Sequence, residues 1–220
     1  MKLINRILAG LLIIIIPFAA IAVSTNILTR LPDIYAYEFT KSRVTEEIDL
    51  TAKPTELANL FSSYLMGKTK ELQLVSEYQG REQQVFTMRD QIGMYNIKEK
   101  LDRMLIASVL AFFMGCFLVY WLKRKGEKER VRTASKYGFA FYLLFWMWTL
   151  IAQTIGFFGG TLQRLIFGSG FDSESVLGML LSNGFFQTFM LFNFISASVI
   201  LFVIGKLIWK FTEERRMFIY

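Results

Sequence analysis

No histidine occurs in the 220 residues, and cysteine occurs once, as Cys116. The usual zinc and haem ligand sets are thereby removed, and a single cysteine inside an apolar run builds neither a disulfide framework nor a thiolate metal site. No metal and no other cofactor is expected. Proline is scarce, at 3 residues. There is no glycine loop of the kind that cradles phosphate, and no serine in a nucleophile-elbow context. Internal repeats and low-complexity tracts are also missing. None of the long apolar runs carries a carboxylate, lysine or arginine at mid-depth, which argues against a proton- or ion-coupled transporter.

What is present is apolar and aromatic. Hydrophobic residues make up 54% of the chain and aromatic ones 16%, with 22 Phe. Such a composition suits an integral membrane protein with some exposed polar structure. Four runs, roughly 7–28, 104–122, 137–158 and 185–209, are long enough to span, since a helix needs about 20 mostly apolar residues to cross. Lys2 and Arg6 precede the first run, and Ala20–Ala22 ("AIA") looks like a cleavage site. The run is longer than a usual signal-peptide core, so it reads as a span. Gly156 and Gly160 form a GxxxG that serves close packing, while Gln153 and Asn193 call for partners on other helices.

The formal net charge of +7 suggests nucleic acid until it is mapped. The connection 123–136, "KRKGEKERVRTASK", holds seven basic residues against Glu127 and Glu129, and Lys2, Arg6, Lys210, Arg215 and Arg216 sit near the ends. Segment 29–103 instead balances 11 basic against 12 acidic residues. Positive charge accumulates on the cytoplasmic side of membrane proteins. Both termini and the 123–136 connection are therefore expected in the cytoplasm of a multi-pass cell-membrane protein. Nucleic acid is not an expected partner.

Segment 29–103 is too long for a passive loop. "YAYEF" puts Tyr35, Tyr37 and Phe39 on one face of a strand. "PTELANLFSSYLMGK" reads as a helix from Pro54 to near Gly67, with Leu57, Leu60, Phe61, Tyr64 and Leu65 packing it on the membrane. Two short strands then turn around Gln79 and Gly80. From Asp90 an amphipathic helix joins the second span. The expected fold is thus a mainly α membrane protein of four transmembrane helices, with a small extracytoplasmic α+β cap between helices 1 and 2. Residues 1–220 form one integral membrane domain, with 29–103 as the cap and 159–184 as a second extracytoplasmic loop. Glu82, Asp90, Glu99 and Asp102 are the carboxylates available for acid–base work, with exposed polar decoration as the plainer account of each.

Several segments carry a resemblance. "ELANLFSSYLMGK" is similar to a family helix ending in Tyr-Leu-x-Gly, and "FTMRD" resembles Phe-Asn/Thr-x-Arg-Glu with Asp90 in the Glu place. "LQRLIF" stands where that family has Phe-His-x-Ile-Phe-Phe, and "FDSESVLGMLLSNGFF" follows a longer family segment in Leu177, Phe185 and Phe186. Together with the four-span arrangement, these segments resemble the lipoprotein intramolecular transacylases (Lit) over nearly the whole chain. The resemblance implies a reaction that moves an acyl chain from the glycerol of a lipidated N-terminal cysteine to its α-amino group. It also exposes departures. Family members read His-Met-x-Asp-Val-Lys where this chain has Gly93, Met94, Tyr95, Asn96, Ile97 and Lys98. Gln163 takes the place of the second histidine, an Asn-Asp-x-Trp segment is shortened to "GSG", and Pro-Glu has become Ser182 and Asn183.

Amine acylation requires a base for the ammonium proton and a group to manage the ester oxygen. Histidine suits both. Glycine has no side chain, and glutamine donates hydrogen bonds without holding a proton as a base. The expected function is a non-catalytic Lit-like protein that binds a membrane lipid, a lipoprotein or another membrane protein at the outer leaflet. The alternative is an acyltransferase with non-histidine groups, for which Asp90, Lys98 and Arg164 are the candidates. Transport subunits and assembly factors are the remaining classes.

Overall fold

The computed structural model describes residues 2–154, 175–181 and 183–213. In chain order the elements are α1 (Lys2–Leu28), α2 (Pro32–Ser42), α3 (Val44–Glu47), α4 (Pro54–Leu65), β1 (Val75–Tyr78), β2 (Arg81–Gln84), α5 (Met88–Arg124), α6 (Lys128–Thr154), α7 (Val176–Leu180) and α8 (Asn183–Thr212). The chain divides into two compact units. One comprises Met1–Ser24, Leu105–Leu150 and Phe194–Tyr220, and the other Thr25–Met104 and Ile151–Asn193.

The first unit is built from long helices. Leu3–Leu28, Met88–Arg124 and Gly184–Thr212 are long and apolar enough to cross a membrane. Much of their apolar surface points outward: Phe112, Phe113 and Phe202 are each more than half exposed. Water would not tolerate so large an apolar surface, whereas lipid tails would. Helix α6 is equally long but richer in Tyr and Trp, residues that favour the membrane–water boundary. Small residues let the helices approach, as at Gly138, where a Cβ would lie 3.4 Å from the Ile13 carbonyl oxygen. Tyr142, fully buried, donates to the Phe194 carbonyl at 2.7 Å and meets the Ser198 hydroxyl at 2.8 Å. A buried phenol needs such a partner.

The second unit holds an aromatic core. Phe39 and Phe61 are fully buried, with ring centroids 5.9 Å apart, and Tyr35 stacks on Phe185 at 5.2 Å. Helix α4 starts with Pro54 in its first turn and stops at Gly67, whose φ of +75° suits a residue without Cβ. The β1–β2 hairpin pairs Val75 with Gln84 and Tyr78 with Arg81. Its turn residues, Gln79 and Gly80, have φ of 53° and 74°, the doubly positive geometry of a tight hairpin turn. A lone hairpin is marginal in water. Here Asp49 and Thr51 add backbone hydrogen bonds, Gln79 N to Asp49 O at 3.0 Å and Thr51 N to Glu77 O at 3.1 Å.

Two expectations need correction. "YAYEF" is not a strand but the middle of helix α2, where Ile34, Tyr35, Glu38 and Phe39 are buried and Tyr37 is exposed. Tyr35 and Phe39 are one helical turn apart, so the alternation of aromatics coincided with a 3.6-residue repeat. The apolar face of α4 does not pack on the membrane. Leu57, Phe61, Tyr64 and Leu65 belong to this unit's own core, with Leu60 packed against it.

Candidate functional site

Asp90 sits in the first turn of α5 and is 2% exposed. Its Oδ2 accepts from the Thr87 backbone N–H at 3.0 Å and from the Thr87 hydroxyl at 2.8 Å. In return the Asp90 N–H donates to Thr87 Oγ1 at 3.3 Å. This reciprocal arrangement is a capping box, which satisfies donors that a helix start leaves without partners. Oδ1 is buried with no hydrogen-bond partner among the described residues. One oxygen of the carboxylate therefore holds the helix start, and the other is enclosed.

Gly93 follows within the next turn and is also buried. A Cβ built there would meet the Leu177 Cδ2 methyl at 3.5 Å, so an apolar side chain from α7 faces this backbone. Lys98 lies eight residues beyond Asp90, about 12 Å along an ideal helix and about 80° around it. The two do not converge. Lys98 Nζ lies 5.1 Å from the centroid of the Tyr64 ring, which it faces as a cation over an aromatic surface. Burial, with a smaller contribution from Tyr95, pushes the Tyr64 hydroxyl above its ordinary pKa.

The other carboxylates have different surroundings. Glu82 is exposed on β2 opposite Glu77, and Glu99 pairs with Arg103 at 2.5 Å along the helix surface. Asp102 Oδ1 accepts from Arg30 Nη2 at 2.7 Å. Gln163 and Arg164 lie outside the described residues, as do Gly156, Gly160 and Ser182, and the side chains of Gln153 and Asn183 do too.

A polar girdle lies at the end of α1, centred on Arg30, which the sequence did not single out. Arg30 joins Asp102 to the Asn26 carbonyl, reached by Nη1 at 3.1 Å, and the Ser62 hydroxyl donates to the Arg30 carbonyl at 2.6 Å. The Tyr35 hydroxyl donates to Thr29 O at 2.8 Å, and Asn193 Nδ2 donates to Thr25 Oγ1 at 2.9 Å. The expected interhelical pairing of Asn193 is thus made. Arg30 was legible in principle: a cation just after a long helix answers the partial negative charge of its last carbonyls. Glu38 was missed as well. It is 4% exposed in α2, with Lys41 Nζ at 3.8 Å from an Oε2 that has no hydrogen-bond partner among the described residues. Among the described residues no cluster of three or more histidine, cysteine, aspartate or glutamate side chains could hold a metal.

The sequence matches the family of the lipoprotein intramolecular transacylase Lit over residues 10–159, more than half of the chain. The protein belongs to the Lit family. No curated protein matches it. Among solved structures, the membrane integral Lit from Bacillus cereus superposes with a TM-score of 0.64 at 13% identity, covering 96% of this chain and 98% of that one. A variant of the same protein, with a histidine replaced by arginine, gives 0.65 at 14% identity, over 95% and 93% of the two chains. At such identity the likeness is one of fold. This Lit-family chain has the Lit membrane fold and is a multi-pass membrane protein.

Proposed function

We propose that this Lit-family protein binds a membrane lipid, a lipoprotein or a membrane partner at the outer leaflet and does not perform transacylation. In this reading four helices span the cell membrane, residues 29–103 form an extracytoplasmic cap, residues 159–184 form a second extracytoplasmic loop, and both termini are cytoplasmic.

Family membership implies a defined reaction. An ester C–O bond to glycerol breaks and an amide C–N bond to the cysteine amine forms; the ammonium gives up two protons, one released to solvent and one passed by a base to the glycerol oxygen. A positioned base is typically worth about 10²–10⁴ in rate. Gly93 and Gln163 fall where the resemblance puts the family histidines. The observation that carries the proposal is at Gly93: it is buried, and Leu177 stands 3.5 Å from where a side chain would begin. Asp90 is engaged in the capping box and Lys98 lies over Tyr64, so neither substitutes for the missing imidazole.

One observation favours a second reading, an acyltransferase with carboxylate chemistry. Glu38 Oε2 and Asp90 Oδ1 are buried oxygens without hydrogen-bond partners among the described residues, and such groups often mark functional sites. Both readings meet one experiment: expression in a strain that makes only diacylglyceryl lipoproteins, followed by mass spectrometry of lipoprotein N-termini. Unchanged diacylglyceryl forms are the expected result. An N-acylated lyso product would overturn the non-catalytic reading, and its loss in Glu38→Gln, Asp90→Asn or Lys98→Met would identify the group responsible.

A further inference from the structure

Helices α6 and α8 of the first unit leave a groove of about 580 Å³ between them. Arg132, Ser135, Lys136 and Phe139 follow one another at helical spacing on α6, so they share a face. Gly205 and Lys206 stand on the facing stripe of α8, and a Cβ at Gly205 would lie 3.9 Å from the Ser135 hydroxyl. Two small residues opposite each other keep the groove open.

Its chemistry is divided. Three cations line it, and the remaining walls are mostly aromatic and aliphatic, including Phe139, Leu201, Phe202 and Trp209. Arg132 is held in place: its Nε donates to Thr212 Oγ1 at 2.9 Å, and its guanidinium lies 4.5 Å from the centroid of Trp209. Lys136 approaches the same ring at 5.8 Å, and Lys206 lies 5.3 Å from the Phe202 ring. Among the described residues, no carboxylate pairs with any of the three.

We infer that this groove binds one anionic phospholipid, its phosphate held by Arg132, Lys136 and Lys206 and its acyl chains laid along the apolar walls. A soluble anion would leave those walls uncovered. A choline lipid fits less well, because the three cations have no carboxylate partner among the described residues and two of them already lie over the Trp209 ring that could receive an ammonium. Basic pockets between spanning helices take anionic headgroups by this logic. The inference does not rest on the function proposed above.

The test uses the full chain purified in mild detergent, with native mass spectrometry after adding phosphatidylglycerol or phosphatidylcholine of the same acyl chains. One phosphatidylglycerol should be retained in preference to phosphatidylcholine. Each cation near an anionic headgroup is worth about fivefold, so Lys136→Gln with Lys206→Gln should weaken retention about 25-fold. Arg124→Gln with Lys125→Gln removes the same charge from exposed positions outside the groove and should change little. Gly205→Leu fills the floor without altering charge and should also weaken retention, with helical circular dichroism checking the fold of each variant. Equal loss in the two charge variants would reduce the effect to net charge. Equal retention of phosphatidylcholine, or full retention in Gly205→Leu, would overturn the site.

Discussion

Tyr35 shows what one buried residue imposes on the second unit. Its ring stacks on Phe185, its hydroxyl donates to Thr29 O, and burial raises its pKa above the ordinary 10.0, partly offset by the nearby positive charge of Arg30. A raised folded-state pKa means that the folded form keeps the proton longer than the unfolded one. The associated stability is complete below about pH 10 and is lost as pH rises toward the folded value. Protease susceptibility of residues 29–103 should therefore climb above about pH 10. Tyr35→Phe should flatten that climb, leaving the part due to Tyr64, which shifts in the same direction. At neutral pH the same substitution should cost about 1–3 kcal/mol, because the Thr29 carbonyl loses its buried donor. An alkaline transition unchanged in Tyr35→Phe would remove Tyr35 from the account. Much of the candidate site was less legible than this tyrosine is in the structure. Asp90 and Lys98 could be picked out by residue type and Gly93 by the resemblance; the Thr87–Asp90 capping box is local, whereas the Leu177 contact at Gly93 joins segments far apart in sequence. Arg30 was overlooked because a lone arginine after a span reads as a membrane-boundary charge until its partner Asp102, 72 residues away, is known.

Elements with a local signature were predictable, and those defined by tertiary burial were not. Pro54 and Gly67 bracket α4, and Gln79 and Gly80 accept the positive φ of the hairpin turn, so both features follow from short-range chemistry. Helix α2 failed that test because two readings of its aromatics were possible and only burial separates them. The direction of α4 failed for a similar reason: amphipathic spacing says that one face is covered but not by what. This gives a sharp expectation for the element. Phe61 is fully buried and meets the rings of Tyr35, Phe39 and Phe86, whereas Leu60 is only partly buried against the same core. Phe61→Ala should destabilise the unit by about 3–5 kcal/mol, and Leu60→Ala by clearly less. Pulse proteolysis in detergent reads this directly as the fraction of cleavable chain. Equal sensitivity to the two substitutions would mean that the α4 face is covered by lipid or detergent and not by its own core.

For the molecule as a whole, the number of crossings and the sidedness of the ends are a single question. Among the described residues three helices, α1, α5 and α8, carry enough apolar length to cross, and the crossing of α6 is left to be tested. An odd number of crossings would leave Lys2 and Glu213 on opposite sides of the membrane. Four crossings return them to the same side. We propose the second arrangement, because basic residues collect at both ends of the chain and in the 123–136 connection, while 29–103 is balanced. Single cysteines at exposed positions report on each side separately. Glu82 on the hairpin, Lys125 in the basic connection and Glu213 after α8 are all exposed, and replacing Cys116 with serine clears the background. In intact cells a membrane-impermeant maleimide should label Glu82→Cys at once, while Lys125→Cys and Glu213→Cys should react only after lysis. Labelling of Lys125→Cys with protection of Glu82→Cys would invert the protein. Labelling of Glu82→Cys and Glu213→Cys together, with Lys125→Cys protected, would show that α6 does not cross.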